Sequence, residues 1–232
     1  MTETENKHDE IEALLAENRL FAPPTEFAAS ARVNSPEIYA EAAADLEGFW
    51  AKEAAQLDWF EPWHTVLDWQ APYAKWFDGG KINVSYNCLD RHVAAGRGDR
   101  VAFYWEGEPG DTRIITYKDL LEDVSRCANA LKELGIQRGD VVAIYMPMIP
   151  ELAVAMLACA RIGAPHTVVF GGFSSASLSD RINDAHAKAV ITADGGFRRG
   201  APSGLKVNVD EALQTTPTIE KVLVVKRTGQ DV

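Results

Sequence analysis

Residues 140–175 read DVVAIYMPMIPELAVAMLACARIGAPHTVVFGGFSS, and this stretch decides the fold. Val141–Tyr145 is a short apolar run without alternation, which is typical of a strand covered on both faces. Glu151–Ile162 is small and apolar, with Pro150 suited to the first helical position and Gly163 to the residue after the last. His166–Phe170 is a second apolar run. This order predicts a βαβ unit with parallel strands and a right-handed crossover.

The helix within this unit carries apolar residues on all sides. We therefore expect it to be buried on most faces, with Ala155 and Met156 both shielded from water. The strand that follows it is also expected to be buried.

The unit ends in Phe170-Gly171-Gly172-Phe173-Ser174, directly before a predicted helix at Ala176–His186. Glycines at the carboxyl end of a parallel strand let a ligand approach the backbone, and the first N–H groups of the next helix attract anions. Ser174 or Ser175 could cap that helix. A tight turn without a ligand explains the glycines equally well, and their spacing is not the dinucleotide fingerprint.

A second candidate site follows the third predicted parallel strand, Ala189–Thr192. Arg198 and Arg199 stand together on a glycine-rich loop, and arginine is well shaped for bidentate contact with phosphate. The alternative is a solvated surface loop, since most exposed arginines bind nothing.

The remaining elements extend the same pattern. Val101–Glu106 and Arg113–Thr116 are expected to pair as a hairpin. Thr116 and Asp119 approximate a capping box that starts a long amphipathic helix ending at Gly135. Helix Lys206–Leu213 and strand Lys221–Lys226 continue the alternation. The predicted fold class is α/β, a mainly parallel sheet flanked by helices, preceded by a helical, tryptophan-rich N-terminal extension.

Three regions are predicted along the chain: a flexible acidic tail at 1–20, the extension at 21–82, and the sheet domain at 83–232. A short amphipathic helix is expected around Ile11, Leu14 and Leu15. Ser35-Pro36-Glu37 starts a predicted helix that continues through Ala54. Four tryptophans between residues 59 and 76 could line a groove, but we favour an irregular segment packed on the domain.

Composition excludes several classes of partner. A net charge of −11 argues against nucleic acid and anionic membranes, which require clustered basic residues. The first residues lack a secretory signal, and prolines and charges interrupt the most apolar region, so we expect a cytoplasmic protein. Cys88, Cys127 and Cys159 share no metal-ligand spacing and are expected to be buried free thiols.

Several segments together resemble the N-terminal part of the AMP-forming acetyl-coenzyme A synthetases, which are adenylate-forming enzymes. These segments follow one another in the same order over most of the chain. They are NCLDRH at 87–92, YWEGE at 104–108, GDVVAIYMPMIPE at 139–151, AMLACARIG at 155–163, FGGFS at 170–174 and ITADG at 191–195.

The resemblance implies an acetate–CoA ligase, which forms acetyl-adenylate from ATP and acetate with magnesium and then transfers the acetyl group to coenzyme A (CoA). In this family, residues of two loops contact CoA, and the matching positions here are Phe170, Gly171, Gly172, Arg198, Arg199, Gly200 and Ala201. Arg198 corresponds to the family's first arginine in the second loop. Ala201 stands where some members have a second basic residue, which puts one phosphate contact in doubt and leaves Arg199 to compensate.

The family's phosphate loop and C-terminal catalytic lysine have no counterpart in the sequence, so it is predicted to be an N-terminal fragment. No catalytic residue or metal ligand is assigned, and ATP and magnesium are expected to bind beyond the chain. The isolated chain is expected to be inactive. Two alternatives stay open: a non-catalytic module that binds a nucleotide-like anion or a partner, and a fragment of a propionate–CoA ligase.

Overall fold

The structure is a computed structural model that describes residues 20–232. The chain divides into two compact units, with the boundary between Ala54 and Ala55. The helix predicted around Ile11 lies outside the described residues. The three predicted regions of the chain stay predictions.

The described part of the first unit consists of three short helices. They are α1 (Thr25–Ser30), α2 (Glu37–Ala44) and α3 (Leu46–Ala54). The single helix predicted from residue 37 to Ala54 is wrong, because the chain breaks at Asp45, whose backbone is not helical. The Asp45 carboxylate accepts a hydrogen bond from the N–H of Gly48 at 2.9 Å and so caps the start of α3.

The tryptophan-rich segment opens the second unit and contains a hairpin that the sequence reading missed. Strands β1 (Thr65–Gln70) and β2 (Tyr73–Asp78) pair antiparallel. Trp59 and Trp63 pack edge to face with ring centroids 4.8 Å apart, and both contact Phe77. The aromatic side chains therefore pack mainly on one another, and the predicted irregular segment is only partly correct.

A helical stretch with two π-helical segments, Tyr86–Asp90 and Val93–Arg97, leads into the sheet domain. Asp90 binds Arg161 through two hydrogen bonds of 2.7 and 2.9 Å. The amide of Asn83 donates to the backbone carbonyls of Ala160 and Arg161. These contacts fasten the stretch to the end of a helix that lies 71 to 78 residues further along the chain.

The predicted second hairpin and its following helix are confirmed. Strands β3 (Val101–Glu106) and β4 (Thr112–Thr116) pair antiparallel, and α4 (Tyr117–Glu133) begins directly afterwards. The Thr116 hydroxyl accepts from the N–H of Asp119, whose carboxylate accepts from the N–H of Thr116. This is the capping box that the sequence indicated.

A four-stranded parallel sheet in the order β10-β7-β5-β6 forms the centre of the domain. From residue 142 onward, the strands and helices of the chain are β5 (Val142–Met146), α5 (Pro150–Ile162), β6 (His166–Phe170), α6 (Ser175–Ala185), β7 (Ala189–Ala193), β8 (Gly195–Arg198), β9 (Ala201–Gly204), α7 (Lys206–Leu213) and β10 (Lys221–Val225). β8 and β9 form a separate antiparallel hairpin. The predicted α/β fold is confirmed.

Side chains of β5 alternate between two cores, one on each face of the sheet. Ile144 packs with α4 and α5, whereas Tyr145 packs with α6 and α7. From β5 the chain moves to β6 on one side and then crosses to β7 on the other side. Ligands of such sheets bind outside the carboxyl ends of the strands, at the point where the strand order reverses.

Two expectations about burial are wrong. Ala155 on α5 is 1% exposed, but Met156 is 38% exposed, so the expectation that both residues are shielded from water is wrong for Met156. β6 is an edge strand, and its Val168 and Phe170 side chains are 45% and 60% exposed. A run of apolar residues indicates burial but does not show which side faces the sheet or which strand lies at an edge.

The cysteines are free, as expected, but differ in burial: Cys159 is buried, Cys127 is half-buried and Cys88 is exposed. The prediction that all three are buried is therefore wrong for Cys88. Among the helices of residues 20–232, none combines the length and apolarity needed to cross a bilayer.

Candidate functional site

A cavity of about 340 Å³ lies at the carboxyl ends of the parallel strands. Its walls come from the segments that follow β5, β6, β7 and β10, together with the β3–β4 hairpin. Its lining includes Trp105, Glu108, Phe170, Gly171, Gly172, Phe197, Arg198, Leu205 and Arg227. The cavity thus lies at the edge where sheets of this class bind ligands.

The two glycines after β6 have different surroundings. A Cβ atom on Gly171 would come within 2.9 Å of the Leu205 side chain and 3.1 Å of the carbonyl oxygen of Met146, so close packing excludes a side chain there. A Cβ atom on Gly172 would meet the Phe170 ring at 2.6 Å and Nη1 of Arg198 at 3.2 Å. Gly172 is therefore the glycine that brings the first loop close to Arg198.

The hydroxyl of Tyr145 holds the glycine loop, residues 170–174, in place through hydrogen bonds. This side chain is fully buried, and its oxygen lies 2.7 Å from the carbonyl oxygen of Phe173 and 3.1 Å from that of Gly171. The amide of Asn208 on α7 donates to the same hydroxyl at 3.1 Å. One buried hydroxyl therefore links the sheet, the loop and α7.

Tyr145→Phe is expected to destabilise the domain by about 1–2 kcal/mol, because it leaves the Asn208 amide and two loop carbonyls without this partner. Urea unfolding of the chain measures the loss. Tyr104→Phe is the matched control, since the Tyr104 side chain is 75% exposed. Equal stability of the wild type and Tyr145→Phe would contradict the role of the hydroxyl.

The arginine loop is the turn of the β8–β9 hairpin. Arg198 pairs with Ala201 across the hairpin, and Arg199 and Gly200 form the turn with φ of 54° and 76°. Positive φ at both positions is typical of a type I′ turn, where glycine is favoured and a residue such as Arg199 is strained. Of these four residues only Arg198 lines the cavity. The other three lie at the exposed tip.

The start of α6 contributes less than the sequence suggested. Ser174 is its cap, and the hydroxyl accepts from the N–H of Ser177 at 3.3 Å. The first turn of α6 does not line the cavity. The expectation of an anion bound by the free N–H groups of this helix therefore has no support from the cavity.

Sequence reasoning missed the part played by Arg227. Its guanidinium lies 5.1 Å from the ring centre of Trp105 and 5.0 Å from that of Phe197, between the two hairpins. Asp111 in the β3–β4 turn holds it through hydrogen bonds of 2.7 and 2.9 Å. Arg113 also lies near Trp105, 4.9 Å from the ring centre. This stack of cations and aromatic rings joins the two hairpins that wall the cavity.

Asp194 closes the base of the β8–β9 hairpin. Its carboxylate accepts hydrogen bonds of 2.6–3.1 Å from the backbone N–H groups of Gly195, Arg227, Thr228 and Gly229. Burial alone would raise the pKa of Asp194, but these donors stabilise the charged form and lower the pKa to about 2. The carboxylate therefore ties the segment after β10, and with it Arg227, to the end of β7.

Comparisons with known proteins identify the family of the chain. Residues 90–231, more than half of the chain, match the model of the AMP-binding enzyme family. The chain belongs to the AMP-binding enzyme family. Residues 36–88 match a second model, described as the acetyl-coenzyme A synthetase N-terminus.

Similar proteins of this family include acetyl-coenzyme A synthetases of several bacteria. That of Streptomyces avermitilis is 60% identical over 226 residues, which are 97% of this chain and 34% of the relative. That of Rubrobacter xylanophilus is 60% identical over 92% of this chain and 33% of the relative. The chain thus spans about a third of the length of the curated relatives it matches.

A solved member of the family has the same fold. The acetoacetyl-CoA synthetase from Streptomyces lividans superposes with a TM-score of 0.79 at 26% identity, over 90% of this chain and 35% of that protein. Within the described part of this AMP-binding family chain, no group of three or more His, Cys, Asp or Glu side chains is placed to hold a metal ion.

Proposed function

We propose that the natural protein containing this chain is an acetate–CoA ligase. ATP and acetate give acetyl-adenylate and pyrophosphate, and the CoA thiol then attacks the acyl carbon and releases AMP. ATP, acetate, CoA and magnesium are the small molecules of this reaction. The family, and two acetyl-coenzyme A synthetases that are 60% identical to the chain, support this reaction.

The part of the enzyme described above contributes its scaffold and one wall of the CoA site. The observation that carries this assignment is the cavity, which brings Gly172 next to the Arg198 guanidinium at the carboxyl edge of the sheet. Phosphate groups of CoA need cations and exposed backbone, and a chain with net charge −11 offers few such places.

Each residue of the two loops has a separate proposed role. Arg198 binds a phosphate of the nucleotide end of CoA, and Gly172 leaves room for that group beside it. Phe170, whose ring is 60% exposed, borders the same space. The role of Gly171 is structural, because its lack of a side chain lets Leu205 pack closely against the loop. At the hairpin tip, Arg199 is the second cation near the phosphate, next to Gly200 and Ala201.

Arg198→Ala in the full natural protein is expected to weaken apparent CoA affinity by about ten- to one-hundred-fold, since a charge-assisted contact contributes roughly 1.5–3 kcal/mol. Acetate-dependent pyrophosphate exchange, which needs no CoA, should be nearly unchanged. The measurement compares the CoA dependence of the full reaction with this exchange in the same variant.

Two controls make the result specific. Arg126→Ala removes an exposed arginine on α4 that does not line the cavity, and it should change neither reaction. Dephospho-CoA tests which phosphate is bound: a variant that no longer prefers CoA has lost a contact to the ribose phosphate. Unchanged CoA dependence of Arg198→Ala would contradict the assignment, and equal loss of both reactions would indicate a folding defect.

A further inference from the structure

The tips of the two hairpins that wall the cavity meet at one hydrogen bond. The carboxylate of Glu108, in the β3–β4 turn, accepts from the backbone N–H of Gly200 at 2.6 Å. The two residues are 92 positions apart in the chain. Glu108 itself lines the cavity, and so does Arg198 on the strand that leads into the Gly200 turn.

The β8–β9 hairpin cannot satisfy the Gly200 N–H by itself. Its ladder ends at the pair Arg198 and Ala201, which leaves Arg199 and Gly200 outside the pairing. Arg199 is strained at positive φ, and such a residue keeps its conformation only where surrounding contacts hold it. The charged acceptor on the neighbouring hairpin supplies one such contact.

The hairpin that carries Glu108 is itself firmly held. The N–H of Gly107 donates to the carbonyl of Asp111 at 2.7 Å, and the N–H of Gly110 donates to the carbonyl of Gly107 at 2.8 Å, so the turn is closed by its own backbone. The Asp111 carboxylate binds Arg227. Glu108 therefore extends from an ordered turn.

We propose that Glu108 is a positioning residue for the CoA site: by accepting the Gly200 N–H it fixes the tip of the β8–β9 hairpin and thereby holds Arg198 beside Gly172. This inference rests on the proposed function. The exposed side chain of Glu108 contributes nothing to the core. Replacing Glu108 should therefore change only the dependence of the reaction on CoA.

The test uses Glu108→Ala and Glu108→Gln in the full natural protein. The alanine variant should raise the CoA concentration at half-maximal rate about fivefold, in line with the loss of one exposed charge-assisted hydrogen bond, and leave acetate-dependent pyrophosphate exchange unchanged. The glutamine variant keeps an oxygen acceptor and should stay within about twofold of the wild type. Glu220→Ala, at another exposed glutamate away from the cavity, is the control.

Two further measurements separate positioning from other roles. Hydrogen exchange in a peptide spanning 198–203 should become faster in Glu108→Ala and stay at the wild-type rate in Glu108→Gln. In the double variant Glu108→Ala with Arg198→Ala, CoA dependence should equal that of Arg198→Ala alone, because Glu108 acts through Arg198.

Each remaining outcome overturns a specific statement. If Arg198→Ala weakens CoA use but Glu108→Ala does not, the CoA site stands and the positioning role fails. If Glu108→Gln behaves like Glu108→Ala, the carboxylate acts through its charge and not as an acceptor. If Arg198→Ala has no effect, the proposed CoA site fails, and the inference fails with it.

Discussion

Ala155→Glu is expected to prevent folding of the sheet domain. Ala155 is 1% exposed and packs in the hydrophobic core with α4 and the sheet. The two arginines that line the space beside it, Arg113 and Arg126, are already ion-paired with other carboxylates. Burying an unpaired carboxylate costs several kcal/mol, which is comparable to the whole stability of a typical domain. Soluble yield and thermal melting followed by circular dichroism measure the loss.

Met156→Glu is the matched control for this prediction. It introduces the same residue one position along the same helix, but the Met156 side chain is 38% exposed. The carboxylate can therefore stay hydrated, and this variant should fold and melt within a few degrees of the wild type. If both variants fail to fold, the helix tolerates glutamate on neither face, and the orientation of α5 described above is wrong.

The features that the sequence predicted well depend on residues close together in the chain. Pro150 is the first residue of α5, and Gly163 ends it with φ of 72°. The capping box joins Thr116 to Asp119, three positions away. Signals of this range are readable from residue types because each residue constrains its own backbone and one neighbouring turn. The βαβ order followed from them.

The errors in the fold arose where a signal was overlooked or where the outcome depends on sheet order. Asp45 and Gly48 carried a helix start that would have divided the predicted helix. No such local sign marked Met156 as exposed or β6 as an edge strand. β6 lies at the edge because the later strand β7 pairs with β5 and not with β6, and residues 166–170 carry no sign of where a later strand will pair.

The candidate site was predictable only in part, for the same physical reason. Gly172 and Arg198 follow predicted parallel strands, so their meeting at one edge of the sheet could be expected. Arg227 binds Asp111, which lies 116 residues away in the chain, and Glu108 accepts a hydrogen bond from Gly200, which lies 92 residues away. A pattern in one segment does not specify such pairs. Only the folded chain shows that these residues complete the walls of the cavity.

Asp194→Asn is expected to destabilise the domain by about 2–4 kcal/mol at neutral pH. Four backbone N–H groups converge on the carboxylate, and an asparagine would turn its own NH₂ group toward some of them. Those donors would then be left buried without an acceptor. Urea unfolding at pH 7 measures the loss, and Asp210→Asn, at an exposed aspartate, should change stability by less than about 0.5 kcal/mol.

The stability difference between the wild type and Asp194→Asn should depend on pH, and this dependence identifies the charge of the carboxylate as the cause. The pKa of Asp194 is about 2 in the folded chain against an ordinary value of 3.8 for an aspartate, so folding favours the ionised form. Its contribution, roughly 2 kcal/mol, is present above pH 4 and is lost as the pH falls from about 4 toward 2. Asparagine does not titrate, so the stability gap between wild type and Asp194→Asn should be smaller at pH 3 than at pH 7. An equal gap at both pH values would mean that the four N–H groups do not stabilise a carboxylate, and that the segment after β10 is held to β7 by other contacts.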